Sequence, residues 1–434
     1  MKKLLLKMTS MLALGFVCFG HFSCHDKCEA IRTYRTQVPV TVLLSDLPKT
    51  ITIEAAQELV SPGKIYVKDN FLFITEAGKG IHVVDNSNPA KPTNLSFIKV
   101  GGNGDMAIKD NILYIDNYVD LVALDISNPK SIKESGRLSA AFANSVVNYG
   151  GWYYNPQMQA IIYYEDKIVT DTVETNCGAN GYIGPIAYDG VFYAEKNAGV
   201  TQSTGGVGGP AAGSTGKGGS MARFTIYDDY IYVASNTDLL VYDIKTPTQP
   251  KSRNKVNLGW GIETIYPYND KLFIGSNTGM FIFDNKNPEN PVRLSNFQHA
   301  RACDPVVVNG DIAYVTLRTG NTCGNAPNEL QVVDVKDLTK PFLIKSYQMQ
   351  NPHGLAIDFP NLFVCEGSFG LKSMDAKDAR NITVLQQIGK INAYDVIPLD
   401  GKHLIMVGKD GLYQYDYSDP KNLKQLSVIP IKKS

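Results

Sequence analysis

The chain has 434 residues, enough for two or three ordinary domains or one large repeat ring, and its 42 basic and 42 acidic residues leave no net charge. That balance excludes the clustered basic excess with which a nucleic-acid binder displaces counterions from phosphates, so no nucleic-acid partner is expected. Apolar residues make up 44%, with 24 Tyr and 17 Phe, and 38 Gly and 22 Pro are spread along most of the chain, a composition of many short strands and turns.

The first element reads as a targeting segment: Lys2, Lys3 and Lys7 precede an apolar run from Met8 to Phe19. That run is too short to span a bilayer, which takes roughly 20 apolar residues, and no later stretch approaches that length. It ends at His21-Phe22-Ser23-Cys24. A small residue directly before a cysteine resembles a bacterial lipobox with Cys24 acylated, although His21 stands where that motif usually has Leu. Ordinary cleavage to a free periplasmic protein is the alternative. The expected organisation is a signal peptide at 1–23, a lipid anchor and linker at 24–49, and a repeat domain at 50–434. The protein is then exported and anchored by lipid alone to the bacterial outer membrane, facing the periplasm or the exterior. That compartment is oxidising, so cysteines are able to pair. No two of Cys177, Cys303, Cys323 and Cys365 have CxxC spacing, which argues against a zinc ribbon or a thioredoxin-like site.

From residue 60 onward one phrase recurs: an aromatic-rich strand, a small turn, a second apolar strand ending in Asp, and often Pro four residues on. Its copies end at Asp85, Asp125, Asp243, Asp284, Asp334, Asp375 and Asp416, in steps of 40, 118, 41, 50, 41 and 41 residues. A step near 41 without 3.6-residue apolar spacing is the period of a four-stranded propeller blade. The second copy parses as strand A at Met106–Ile108, strand B at Ile112–Ile115, strand C at Leu121–Asp125 and strand D after Pro129. The recurring Asp reads as a turn opener that bonds its own backbone, since seven catalytic copies make no chemical sense. The fold is therefore expected to be all-β, a β-propeller of four-stranded blades. Its ends are expected to close through a D-type strand at Leu423 to Ile431, with Thr50 to Glu54 adding to the terminal blade.

The strand C copies, most clearly Leu240-Val-Tyr-Asp243 and Leu330-Gln-Val-Val-Asp334, resemble the LVIVD-repeat family of bacterial secreted and surface proteins. The resemblance covers about residues 60–430 apart from one insertion, and it implies a propeller fold and an exported location. It brings no activity and no catalytic residues. The insertion, at 141–220, holds an aromatic stretch (Trp152, Tyr153, Tyr154, Tyr163, Tyr164) and a strand-like Lys167 to Glu174. A tract from Gly199 to Ser220 with nine glycines follows, too flexible to hold a packed core. Seven blades are preferred, because no strand C signature lies between Asp125 and Asp243. Ile161 to Asp166 sits at the right distance for an eighth and leaves that count open.

Aligning the units on their A–B turns places one column just before strand A, at the mouth of the central channel: Gly63, Gly104, Ala222, Glu263, Asp304, His353 and Asp395. The last four are ionisable and lie on consecutive blades, with Trp260 just upstream. They form an expected polar cup for a metal or a small polar ligand, favouring something positive or hydrogen-bond donating, with the small-residue side left open for access. Backbone capping is the plainer account of the same residues. His82, His299 and His403 read as structural or solvent-facing. A Cys303–Cys323 disulfide is expected, closing the long B–C loop of the fifth unit, with pairing to Cys177 or Cys365 left open. No nucleophile elbow, zinc-protease helix or phosphate loop occurs, no cofactor is expected, and no catalytic or metal-binding residue can be named. The expected function is a non-catalytic binding or scaffold module at the cell envelope, with a protein, glycan or small polar ligand at its loop face. A hydrolase or lyase acting in the cup is the alternative.

Overall fold

The computed structural model describes residues 27–143, 152–176, 217–220, 222–259, 261–298, 305–319 and 327–432. The chain divides into two compact units: the smaller takes residues up to Val40 with Tyr164–Gly199, the larger Thr41–Tyr163 with Val200–Ser434. The larger is a β-propeller. Its first blade pairs Pro62–Lys68, Phe71–Glu76, Gly80–Asp85 and Thr93–Lys99 antiparallel in chain order, strands A to D. The same order repeats from strand A at Met106–Lys109, Phe224–Tyr227, Ile262–Tyr268, Val306–Asn309, Leu355–Asp358 and Ala393–Pro398. The described residues thus contain seven such units, numbered here as blades 1 to 7.

Strands B and C are largely apolar and buried because each is covered on both faces by neighbouring blades. Leu121, Val122, Ala123 and Leu124 of blade 2 are all 0% exposed. The outermost strand lies at the rim, and in blade 3 it is correspondingly polar, Lys251-Ser-Arg-Asn-Lys-Val-Asn257. Apolar clusters join blades 1 to 3, 3 to 4, 4 to 6, and then 6 and 7 back to 1, so burial itself runs round the ring. The recurring Asp behaves as a turn opener in all seven copies. Its Oδ1 accepts the N–H two residues on, at 2.8 to 3.3 Å. At the A–B turns, Asp69, Asp110, Asp228 and Asn269 take φ near +50°, the left-handed region that Asp and Asn tolerate.

Closure differs from expectation in one respect. Thr52–Ala55 does not join the last blade but pairs with Thr93–Lys99, covering the outer edge of blade 1. The ends meet through a parallel bridge between Leu59 and Ile431, with Lys432 N–H donating to the Leu59 carbonyl at 2.7 Å. Gln414 Nε2 donates to Asn86 Oδ1 at 2.7 Å, and Ser427 Oγ to the Pro89 carbonyl at 2.6 Å, tying blade 7 to blade 1.

The stretch expected as a linker contains a strand, Lys27–Leu43, paired with Ala160–Asn176 of the insertion. Within the smaller unit Arg32 Nε and Nη2 donate to both carboxylate oxygens of Asp171 at 2.7 and 2.9 Å, and Gln37 donates to Asp166 at 3.0 Å. In the larger unit Trp152–Asn155 pairs with the start of Ala160–Asn176, and the Trp152 ring meets Tyr118 edge-on at 5.7 Å. Ile161 to Asp166, the stretch that left an eighth blade open, lies in this three-stranded sheet.

Leu59 is 2% exposed and lies in the cluster that joins blades 6 and 7 to blade 1. Leu59→Ala is expected to cost about 2–5 kcal/mol and to lower the urea midpoint of the whole propeller rather than create a separate early transition. Equilibrium urea unfolding followed by tyrosine fluorescence checks this.

Candidate binding site at the channel mouth

Pair registers fix which residues are equivalent before strand A. Ile65↔Ile74, Met106↔Ile115, Phe224↔Val233, Ile265↔Ile274, Val306↔Val315, Leu355↔Val364 and Val396↔Met406 occupy the same place. The residues just before them form an inner tier: Lys64, Asp105, Arg223, Thr264, Pro305, Gly354 and Asp395. One step further out, at the mouth, lie Gly63, Gly104, Ala222, Glu263, His353 and Tyr394. Asp395 therefore does not belong with Glu263 and His353. The A–B turn of blade 7, Asp400-Gly401-Lys402, is one residue longer than Asp69-Asn70 of blade 1, so aligning on turns shifts that blade by one.

Apart from the half-buried Arg223, the inner tier is buried, and its carboxylates join neighbouring blades. Asp105 Oδ2 accepts the N–H groups of Arg223 and Phe224 at 2.8 and 3.1 Å, stitching blade 2 to blade 3. Asp395, 0% exposed, accepts the Ser220 hydroxyl at 3.0 Å, and Ser220 Oγ accepts the Leu355 N–H at 3.0 Å. Burial pushes the Asp395 carboxyl up to about 8, against the pull of its hydrogen bonds and of Lys64. Burial likewise lowers the Lys64 ammonium to about 8, with Asp105 and Asp395 opposing. Ser220 reaches this tier because Lys217–Gly218 forms an additional strand on the inner edge of blade 1, Lys217 opposite Val67 and Gly218 opposite Tyr66. The side expected to stay open for access is therefore filled by the end of the Gly-rich tract.

At the mouth, Glu263 and His353 are half-buried and occupy equivalent positions on blades 4 and 6. Trp260 and Asp304 lie outside the described residues. Between Glu263 and His353 the structure adds Arg318, just past strand B of blade 5 (Ile312–Leu317), which interacts electrostatically with both. Burial lowers the Arg318 guanidinium, opposed by Glu263. Burial, and then Arg318, lowers the His353 imidazole to about 3. The His353 ring stands edge-on to Tyr394 at 5.5 Å, and its backbone is held by N–H donation to Cys365 O at 2.7 Å and by Thr316 Oγ1 on its carbonyl at 2.7 Å.

The loops around the mouth are pinned by carboxylates of strand B. Asp116 accepts Asn103 Nδ2 and Gly104 N–H at 2.9 Å and Asp105 N–H at 3.1 Å. Burial nevertheless raises it to about 7, with those amides opposing. Glu76 accepts Val60 and Ser61 N–H at 3.1 and 2.6 Å and lies 3.1 Å from His82 Nε2. Burial alone would raise its carboxyl, but these partners hold it below the usual range. His82 is thus structural, and His403 caps a turn through Asp400 at 2.8 Å. His299, Cys24, Cys177 and the proposed Cys303–Cys323 pair lie outside the described residues; Cys365 is a buried free thiol. Among the described residues no three His, Cys, Asp or Glu side chains gather as a metal site.

Comparison with known proteins adds the repeat and the fold. Residues 62–98, 101–139, 218–257 and 300–349 match the LVIVD repeat. No curated relative matches the sequence. Among solved structures, the computationally designed Ika8 protein is 8% identical over 86% of this chain and 88% of its own, with a TM-score of 0.51. A protein from Lactobacillus plantarum is 12% identical over 77% and 87%, at 0.49. Hsv2 of Kluyveromyces lactis is 9% identical over 86% and 99%, at 0.46. At such identities the likeness concerns fold alone, and of these three the Ika8 match is the one that supports it.

Two outcomes follow from the geometry. Ser220→Ala leaves the Leu355 N–H and an Asp395 oxygen short of a partner and is expected to cost about 1–3 kcal/mol, read by urea unfolding. His353 stays neutral in the fold down to about 3, whereas an unfolded histidine takes its proton near 6.5. Below about 6.5 the unfolded state therefore binds the extra proton, so stability falls as pH drops from there towards 3. His353→Gln is expected to lose less stability than the parent between pH 7 and pH 4. A His353 imidazole resonance titrating near pH 6.5 in the folded protein contradicts this.

Proposed function

This chain is a β-propeller that carries LVIVD repeats, and from that premise we propose that it is a binding module of the bacterial cell envelope. In this reading Cys24 carries the lipid that holds it to the outer membrane, and the mouth face, with its B–C loops, engages a protein or glycan partner. The observation that carries the reading is the pinning of that face. Asp116, Glu76 and Asp105 spend their carboxylates on loop and strand amides, so the part of that face formed by blades 1 to 3 is held in place before any partner arrives and loses little freedom on binding.

A hydrolase or lyase needs a base whose pKa lies near the working pH. His353, lowered to about 3, is a weak base at neutrality. Asp395 is closer to neutrality but is buried and bonded to Ser220. Both facts favour binding.

Two measurements test the proposal. Cys24→Ala is expected to move the protein from the membrane pellet to the soluble fraction; continued pelleting removes the anchor. Crosslinking in intact cells followed by mass spectrometry is expected to enrich one envelope protein or glycan with the parent chain and lose it with Glu263→Ala/His353→Ala. Equal recovery with both chains removes the mouth face as the contact surface.

A further inference from the structure

The mouth holds three half-buried polar side chains that bond nothing else described. The Arg318 side chain makes no hydrogen bond or ion pair with any described residue, and Glu263 and His353 meet it only through longer-range electrostatics. The His353 ring and the Asn351 amide likewise make no side-chain hydrogen bond among the described residues. The last two converge: a Cβ placed on Gly367 would lie 2.4 Å from Asn351 Nδ2 and 3.0 Å from His353 Nε2. Gly367 itself has φ +51°, so the absence of a side chain there keeps both groups in place. A guanidinium taken partly out of water and bonded to no described side chain is an unfavourable arrangement that an anion relieves.

We propose that the channel mouth binds the carboxylate group of a ligand, with Arg318 pairing through two parallel N–H···O bonds and Asn351 and His353 donating one each. This rests on the binding-module reading above and reverses the sign expected from the sequence, which counted Asp395 in the cup and did not see Arg318. The guanidinium fork matches a planar carboxylate. The negative field of Glu263 makes a singly charged group more acceptable than a phosphate carrying nearly two charges. The imidazole donates while neutral, in the tautomer with hydrogen on Nε2, so binding needs no protonation of His353.

Isothermal titration of the purified mature chain tests this with D-glucuronate, a sugar carboxylate, and N-acetylglycine, a peptide-like one, against inorganic phosphate and glucose. The expected result is binding of at least one carboxylate in preference to phosphate and glucose. The preferred carboxylate then names the source, sugar or peptide. Arg318→Gln is expected to weaken that binding about tenfold or more with an unchanged unfolding midpoint, and Arg318→Lys to restore part of it. Glu263→Gln, which removes the competing charge, is expected to tighten it, and this reads the site even if the arginine variant folds poorly. Absence of carboxylate binding, equal binding by Arg318→Gln, weaker binding by Glu263→Gln, or preference for phosphate overturns the proposal. The titration uses no cellular partner, so its failure is separate from a failure of the capture experiment.

Discussion

In blades 2 to 7 the innermost strand is a sheet edge, with one side paired to strand B and the other turned to the centre of the propeller, and in blade 1 that edge is covered by Lys217–Gly218. Backbone groups buried at such an edge must find partners or cost the fold a hydrogen bond each. The polar architecture of the centre follows from that constraint. Ile265 N–H reaches the Ala222 carbonyl at 2.9 Å, and Gly354 N–H the Tyr394 carbonyl at 2.8 Å, so neighbouring blades share main-chain bonds. Where the backbone alone does not reach, Asp105 serves two amides of blade 3 and Ser220 serves one of blade 6. The acidic residues nearest the axis are thereby committed to holding blades together.

Commitment of charge in the inner tier decides the chemistry left at the mouth. Lys64 is drawn down and Asp395 up towards the same neutral range, each losing hydration and each partly settled by the other. Such a group stabilises little by its charge and serves best as a fixed, specific contact. Arg318 lies outside that settlement. It is the cation whose burial is not answered by a close partner among the described residues, and its presence beside His353 helps to keep that ring neutral.

The period near 41 and the seven Asp turns were legible because each arises within a few consecutive residues. Asp85 to Ser87 and Asp416 to Ser418 are the same local bond made at opposite ends of the chain. The candidate site was legible only in part, because it is assembled across blades. Glu263 and His353 fall where the repeat alignment puts them. Asp395 was displaced by one extra turn residue, a change too small to alter the repeat but enough to move a side chain from the mouth to the inner tier. Arg318 is not part of the repeat column for a different reason: it reaches the mouth from the end of strand B, whereas the column is formed by the approach to strand A. The run Gly63-Lys64, Gly104-Asp105 and Ala222-Arg223 did contain a signal, a small residue followed by a charge, in three successive blades.

The end of the Gly-rich tract shows how composition misleads when the surroundings are unknown. A run of glycines argues for a flexible loop because such a chain has no side chains with which to pack. Gly218 and Gly219 are nonetheless buried, since the space beside the inner edge of blade 1 is bounded by strands and a backbone without side chains fits there. Lys217 anchors one end of the segment by donating to the Leu399 carbonyl, near the A–B turn of blade 7. Ser220 anchors the other at Asp395 and Leu355, beside the mouth. Four residues thus run along the channel from one face towards the other, their ordering cost offset by strand pairing and by the amides they satisfy. A ligand approaching the mouth accordingly meets Arg318 and His353 on one side and this segment of the chain on the other.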